Sequence, residues 1–179
     1  MQAIRDKIYI KPLIEVSRLE IEMYIEENSL EPKHDKTNDE NIYTRNKIRN
    51  VLIPLIQEEF NPNIIETLDR LSKLLALEND YLEKETEKSF DELVIKDEKQ
   101  EIILNLREFN KEHKAIKSRL IILCIKKLLK DTNGIGKIHI DDIIKLCENN
   151  VGNKYLTPNK RIKVGVGKGK ICFFVTKKT

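Results

Sequence analysis

Residues 61–82 read NPNIIETLDRLSKLLALENDYL. Asn61 offers an N-cap side chain, and Pro62 suits the first helical position, where its missing N–H costs nothing. Ile64, Leu68, Leu71, Leu75 and Leu82 then recur at steps of four, three, four and seven residues, the period of one helix face. This stretch predicts a mainly α protein: a helical domain with one long helix and small β-hairpins, the last of them at the C-terminus. The leucine stripe reads as core packing, and a seam for a partner helix is the other reading.

Moving toward the C-terminus, residues 76–101 hold ten acids against four lysines, which predicts solvent-exposed helix and connection and a surface that repels phosphate. Leu93-Val94-Ile95 and Ile102-Ile103-Leu104 flank a polar DEKQE segment and are expected to pair as a small hairpin. Ile116, Leu120, Leu123, Cys124 and Leu128 mark a buried helix over 115–129, closed by Asn133-Gly134, and a shorter helix is expected over 140–148. The period then changes. Arg161-Ile162-Lys163-Val164 alternates polar with apolar and Ile171 to Val175 is a compact apolar run, which predicts a hairpin turning over 165–169. The GVGKGK at 165–170 is not a phosphate loop, because Ile171 stands where a hydroxyl is needed and no helix follows.

Toward the N-terminus, Ser17 followed by Glu20 is a capping box, with Val16 and Ile21 placed as a hydrophobic staple, so a helix should begin at Arg18 with Ile21, Tyr24 and Ile25 on its inner face. Leu30-Glu31-Pro32 ends it, and 33–40 reads as a polar loop in which Asp35 and Asn38 bond their own backbone. A second helix from Glu40 should turn Ile42, Ile48 and Leu52 inward before Pro54 breaks or kinks it. On that helix Arg45 and Arg49 stand four apart, so two guanidinium forks share one face and suit a phosphate or carboxylate. A solvated arginine face with no ligand is the competing reading.

Three ordered motifs now carry a resemblance: KPLIEVSRLEIEMYI (Lys11 to Ile25), D-x-T-N (Asp35, Thr37, Asn38) and Y-x-R-N-x-I-R-x-x-L-I-P (Tyr43 to Pro54). Together they resemble the middle of bacterial tRNA(Ile)-lysidine synthetases, ATP-dependent ligases of the N-type ATP pyrophosphatase (PP-loop) group. HKAIKSRLIILCIKKL (113–128), HIDDIIKL (139–146) and LTPNKRIKVGVGKGKICFFV (156–175) resemble later segments of the same family, less specifically. Lys11 and Asn50 depart from the family's usual arginine and histidine. The larger departure is that the family's ATP loop, a serine and two glycines followed by an Asp-Ser pair, occurs nowhere in the 179 residues.

The resemblance implies a C-terminal piece of such an enzyme, with 1–60 as the end of the catalytic domain and 61–179 as a helical substrate-binding domain ending in a basic hairpin. In that family ATP activates the C2 oxygen of the wobble cytidine of an isoleucine tRNA and the amine of free lysine displaces AMP. The resemblance therefore implies tRNA, ATP and free lysine as partners. ATP is held mainly by the absent N-terminal half, and the chain is expected to be inactive alone. Arg45, Asn46, Arg49, Asp35 and Asn38 become the expected substrate-binding residues. Two other readings remain: a non-enzymatic helical module that binds RNA or protein, and a region that only packs and forms a homodimer.

Composition sets bounds on all three. With 40% hydrophobic and 35% charged residues the chain is expected to fold, and no apolar run nears the roughly 20 residues of a membrane helix, so the cytoplasm is the expected compartment. Cys124, Cys147 and Cys172 lie apart among apolar neighbours and read as buried free thiols. No Cys or His pair has metal-ligand spacing, so no metal site is expected. The net charge of +3 is unevenly spread: residues 151–179 carry eight basic side chains and no acid, whereas the other 150 residues carry 25 basic and 30 acidic. Lys160, Arg161, Lys163, Lys168 and Lys170 are accordingly candidate tRNA contacts, with a solvated lysine face as the alternative.

Overall fold

The computed structural model describes residues 4–5, 8–33, 36–38, 40–149 and 154–176, and the chain divides into two units, Met1–Glu66 and Thr67–Thr179. Asp35, one of the expected site residues, lies outside the described residues.

In the first unit, β1 (Ile4–Arg5) and β2 (Tyr9–Ile10) form a short antiparallel ribbon, followed by helix α1 (Arg18–Glu27). The start of α1 is set by the anticipated box: the Ser17 hydroxyl accepts from the Glu20 N–H at 3.2 Å, and Glu20 Oε2 accepts from the Ser17 N–H at 2.7 Å. A 3₁₀ turn at Lys36–Asn38 leads to α2 (Thr44–Lys47), a π-helical turn (Ile48–Leu52) and α3 (Ile53–Glu59). Helix α2 thus begins four residues later than expected, and Ile42, Ile48 and Leu52 are exposed rather than turned inward. Nor does Pro54 stop the helix. The wider turn before it lets the Ile53 N–H reach back to Ile48 O, which carries the chain across the N–H that proline lacks. Among the described residues of this unit, Asn46 is the one buried side chain.

The second unit is built on helix α4 (Ile64–Leu93), whose last turns bury Thr86, Phe90 and Leu93. Leu82 also packs on this core, whereas Leu68, Leu71 and Leu75 are about half exposed, at 50%, 48% and 52%. The stripe expected to be core therefore serves as core only at its C-terminal end, because the apolar core of this unit takes α4 side chains from Leu82 onward, one turn after Asn79, which accepts from Arg119. Directly after α4 come β3 (Val94–Glu98) and β4 (Glu101–Asn105), the expected hairpin. Helices α5 (Leu106–Lys111), α6 (Lys114–Leu129) and α7 (Lys137–Glu148) follow, then strands β5 (Lys154–Asn159), β6 (Ile162–Gly167) and β7 (Lys170–Val175).

These strands correct the expected fold class. Instead of isolated small hairpins, all five join one antiparallel sheet in the order β3-β4-β7-β6-β5. The junction is the pairing of β4 with β7, from Glu101 opposite Phe174 to Asn105 opposite Lys170. Neither hairpin covers its apolar face alone, and side by side they share one core under α5, α6 and α7. Ile102, Leu104, Ile162, Val164, Ile171 and Phe173 are all 0% exposed on that inner face, each stabilising by roughly 1.5–3 kcal/mol relative to exposure. Strand β5, unanticipated, carries Pro158 at a sheet edge, where the register shifts between Leu156 and Asn159 and no ladder donor is demanded of it.

Two helix boundaries moved as well. Lys130, in the left-handed region at φ 64°, caps α6 three residues before the Asn133-Gly134 expected to close it, and α7 opens at Lys137 behind Gly136. Cys124 and Cys147 are buried as expected, but Cys172 is only partly so. Strand alternation explains the difference: Ile171 and Phe173 point into the core, so Cys172 between them points out.

Candidate functional site

Asn46 is 9% exposed and both protons of its amide are used: Nδ2 donates to Thr37 O at 2.8 Å and to Glu40 O at 3.0 Å. One turn further, Asn50 Nδ2 donates to Asn38 O at 3.1 Å and to Asn41 Oδ1 at 3.2 Å. Two helix amides thus pin the 37–41 loop to the 44–59 helical run. Arg45 and Arg49 alternate with these amides along the chain. Both arginines are exposed, and neither guanidinium forms an ion pair or hydrogen bond with a described residue. Their helix is held by neutral hydrogen bonds, and no described carboxylate pairs with either guanidinium, a geometry that suits an anion. Asn38 enters through its backbone carbonyl, with its side chain exposed.

The C-terminal cations divide into two kinds. Arg161 is engaged: Nη1 and Nη2 contact Asp131 Oδ2 and Oδ1 at 2.9 and 2.6 Å, and Nη2 also donates to Asn133 O at 3.2 Å. The Arg161 hydrogen bonds, with the Asn133 N–H beside them, hold the Asp131 carboxyl at about 2, below its ordinary 3.8. Lys160, Lys168 and Lys170 are exposed, and Lys163 lays its ammonium over the Tyr155 ring, 3.4 Å from the centroid. None of these four lysines forms an ion pair with a described acid.

Sequence reading missed Tyr155, Phe174 and the outward glycines Gly165 and Gly167. The signal was present in Ile-Lys-Val-Gly-Val-Gly, where a period of two sets Lys163, Gly165 and Gly167 on one face. Assigning 165–169 to a turn concealed it, for the turn is only Lys168-Gly169, with φ 51° and 72°. The GVGKGK segment is strand, two-residue turn and strand, so it presents no helix N-terminus to a phosphate.

Among the described residues no three His, Cys, Asp or Glu side chains gather as a metal site. Burial raises all three thiols, Cys147 to about 12, which keeps them protonated at neutral pH. No described helix is long and apolar enough to cross a membrane. Among the described cations without an ion-pair partner are Arg45 and Arg49 in one unit and Lys160, Lys163, Lys168 and Lys170 in the other, and their charge suits an anion.

Residues 1–56 match the PP-loop domain family. The chain is 47% identical to the tRNA(Ile)-lysidine synthase of Clostridioides difficile (strain 630) over 161 residues, which is 90% of this chain and 35% of that protein. It is 40% identical to the synthase of Clostridium tetani over 97% of this chain and 37% of that protein, and 28% identical to that of Geobacillus kaustophilus over 87% and 33%. The chain thus spans about a third of the length of these relatives.

Proposed function

The chain is a relative of the tRNA(Ile)-lysidine synthases, and from that premise we propose that it supplies part of the active-site rim and much of the tRNA-binding surface of such a ligase. Residues 1–60 form the end of the catalytic domain and 61–179 the tRNA-binding domain. The parent enzyme joins free lysine to the wobble cytidine of an isoleucine tRNA in the cytoplasm. ATP, bound mainly by residues outside this chain, supplies the activating group. The chain alone makes no lysidine.

The observation that carries this reading is the pair of exposed guanidinium groups, Arg45 and Arg49, on a helix clamped by Asn46 and Asn50. Charge that accumulates on a phosphoryl group is best met by fixed cations that need no proton transfer. Arg45 and Arg49 therefore neutralise phosphate of ATP or tRNA, and the amides hold their helix in place. The exposed Leu68, Leu71 and Leu75 support a further element, a homodimer along α4, which sedimentation of the purified protein would test.

The test is Arg45→Ala and Arg49→Ala, singly, in the full-length enzyme. Lysidine formation should fall at least about tenfold with an unchanged melting temperature. Wild-type rates from both stable variants would refute the role.

A further inference from the structure

Strand β6 turns Ile162, Val164 and Val166 into the core and Lys163, Gly165 and Gly167 outward. Because two of those outward positions carry no side chain, the sheet has an open trough of about 380 Å³ along β6. Tyr155 pairs with Gly165 from one side and Cys172 from the other, while Phe174 pairs with Lys163. Two aromatic rings therefore flank a floor of backbone. Tyr155 is 62% exposed and Phe174 37%. Lys154, Lys163 and Lys168 line the same trough.

The charge on this face is mainly positive. Residues 154–176 contain no acid, and the acids nearest in the sheet, Glu98 and Glu101, share Lys96, which leaves one net negative charge at the Phe174 end, where Glu101 stands opposite that ring. Unpaired lysines around exposed rings are the combination that holds a nucleic acid strand, since rings stack on bases and ammonium groups meet phosphates. Duplex RNA keeps its bases stacked inward and would make no use of the rings. An acidic peptide would use the lysines alone.

We infer that this trough receives one unpaired base of an RNA, stacked against Tyr155 and Phe174, with the flanking phosphates on Lys163, Lys168 and Lys170. The inference rests on the reading of the chain as tRNA-binding and assigns that binding a site. Lys163, now over the Tyr155 ring, moves from ring to phosphate or stays as the far side of a ring sandwich. Tyr155 and Phe174 are binding residues here and take no part in bond making.

The experiment is an equilibrium titration of the full chain with isoleucine tRNA, a short unstructured RNA and the same RNA as a duplex, each over a salt series. The variants are Tyr155→Ala, Tyr155→Phe, Gly165→Val and Lys168→Ala. Gly165→Val fills the trough without backbone strain, since a Cβ there meets its nearest neighbours at an ordinary 3.7 Å. Single-stranded RNA should bind more tightly than duplex, and Tyr155→Ala should weaken it roughly 5- to 100-fold with its salt slope unchanged. Tyr155→Phe should bind as wild type, Gly165→Val should weaken binding, and Lys168→Ala should reduce the salt slope by about 0.7.

If tRNA binds but Tyr155→Ala and Gly165→Val are both as tight as wild type, the trough is overturned and tRNA binding stands. Equal affinity for duplex and single strand, or displacement by polyglutamate at equal strength, would mean a plain polyanion surface and overturn it as well. Failure of the chain to bind any RNA at low salt would overturn the trough and the proposed tRNA surface together.

Discussion

Arg161 grips Asp131 through two nitrogen–oxygen contacts of 2.9 and 2.6 Å, joining the turn between β5 and β6 to the segment that follows α6. Asn159 reinforces the same corner, accepting from the Arg161 and Ile162 N–H groups and donating to Asn133 O at 3.2 Å. A guanidinium so occupied is not a free cation. Arg161→Ala should therefore lower the melting temperature while leaving the salt slope of RNA binding close to that of wild type, unlike Lys168→Ala.

The same pair sets an acid limit on stability. The Asp131 carboxyl sits at about 2 in the folded protein against an ordinary 3.8, so its contribution is fully present above the ordinary value and is lost as pH falls toward about 2. Thermal melts of wild type between those two values should show a steeper loss of stability than Asp131→Asn, which has no carboxyl to protonate. Parallel pH profiles for the two proteins would show that the contact contributes nothing.

Asn46 offers a different kind of test, because both of its amide protons are used in a nearly buried position. Asn46→Ala should cost roughly 1–3 kcal/mol and Asn46→Asp more, since a carboxylate would face two carbonyl oxygens. Amide exchange over residues 37–41 is the measurement. Protection there that survives both substitutions would remove the clamp from the account.

Lys117 is buried on α6, and its ammonium meets Glu148 at the end of α7 at 3.0 Å. Glu148→Ala leaves the ammonium without that partner and should destabilise the second unit by roughly 1–3 kcal/mol, the half-exposed glutamate placing it below a fully buried pair. Lys117→Met should be near neutral, because it removes charge and partner demand together. Denaturant midpoints of the two variants would separate these outcomes.

At the β6–β7 turn, Lys168 and Gly169 both adopt positive φ, 51° and 72°, the pattern of a type I′ hairpin. A lysine is strained there and an asparagine is not. Lys168→Asn should raise stability by roughly 0.5–1 kcal/mol while weakening RNA binding, as measured by melting and titration of one preparation.

Much of the local structure was legible in the sequence. The Ser17–Glu20 box places the start of α1, the apolar period of 114–129 marks a buried helix, and Leu93 to Leu104 folds as its hairpin. Each of these rests on residues within a few positions of one another, where side-chain spacing and backbone hydrogen bonding leave one good solution. The ordered motifs that tie the chain to its relatives were legible for the same reason, and the spacing of Arg45 and Arg49 showed that they share a helical stretch, where both are exposed.

What lay beyond that range is what long-range contact decides. No local signal says that β4 and β7 pair, yet that pairing turns separate hairpins into one sheet and brings Tyr155, Gly165 and Phe174 to one face. Nor does spacing reveal that Arg161 belongs to Asp131, or that Leu68 and Leu75 lie outside the core that takes Phe90. The chain by itself determined most of the helices, the β3–β4 hairpin and where charge is carried, but not strand β5 or the extent of β6. Only the tertiary structure decided which cations are spent on the fold and which stand exposed without an ion-pair partner among the described residues, because partners and burial depend on residues that are distant along the chain and adjacent in space.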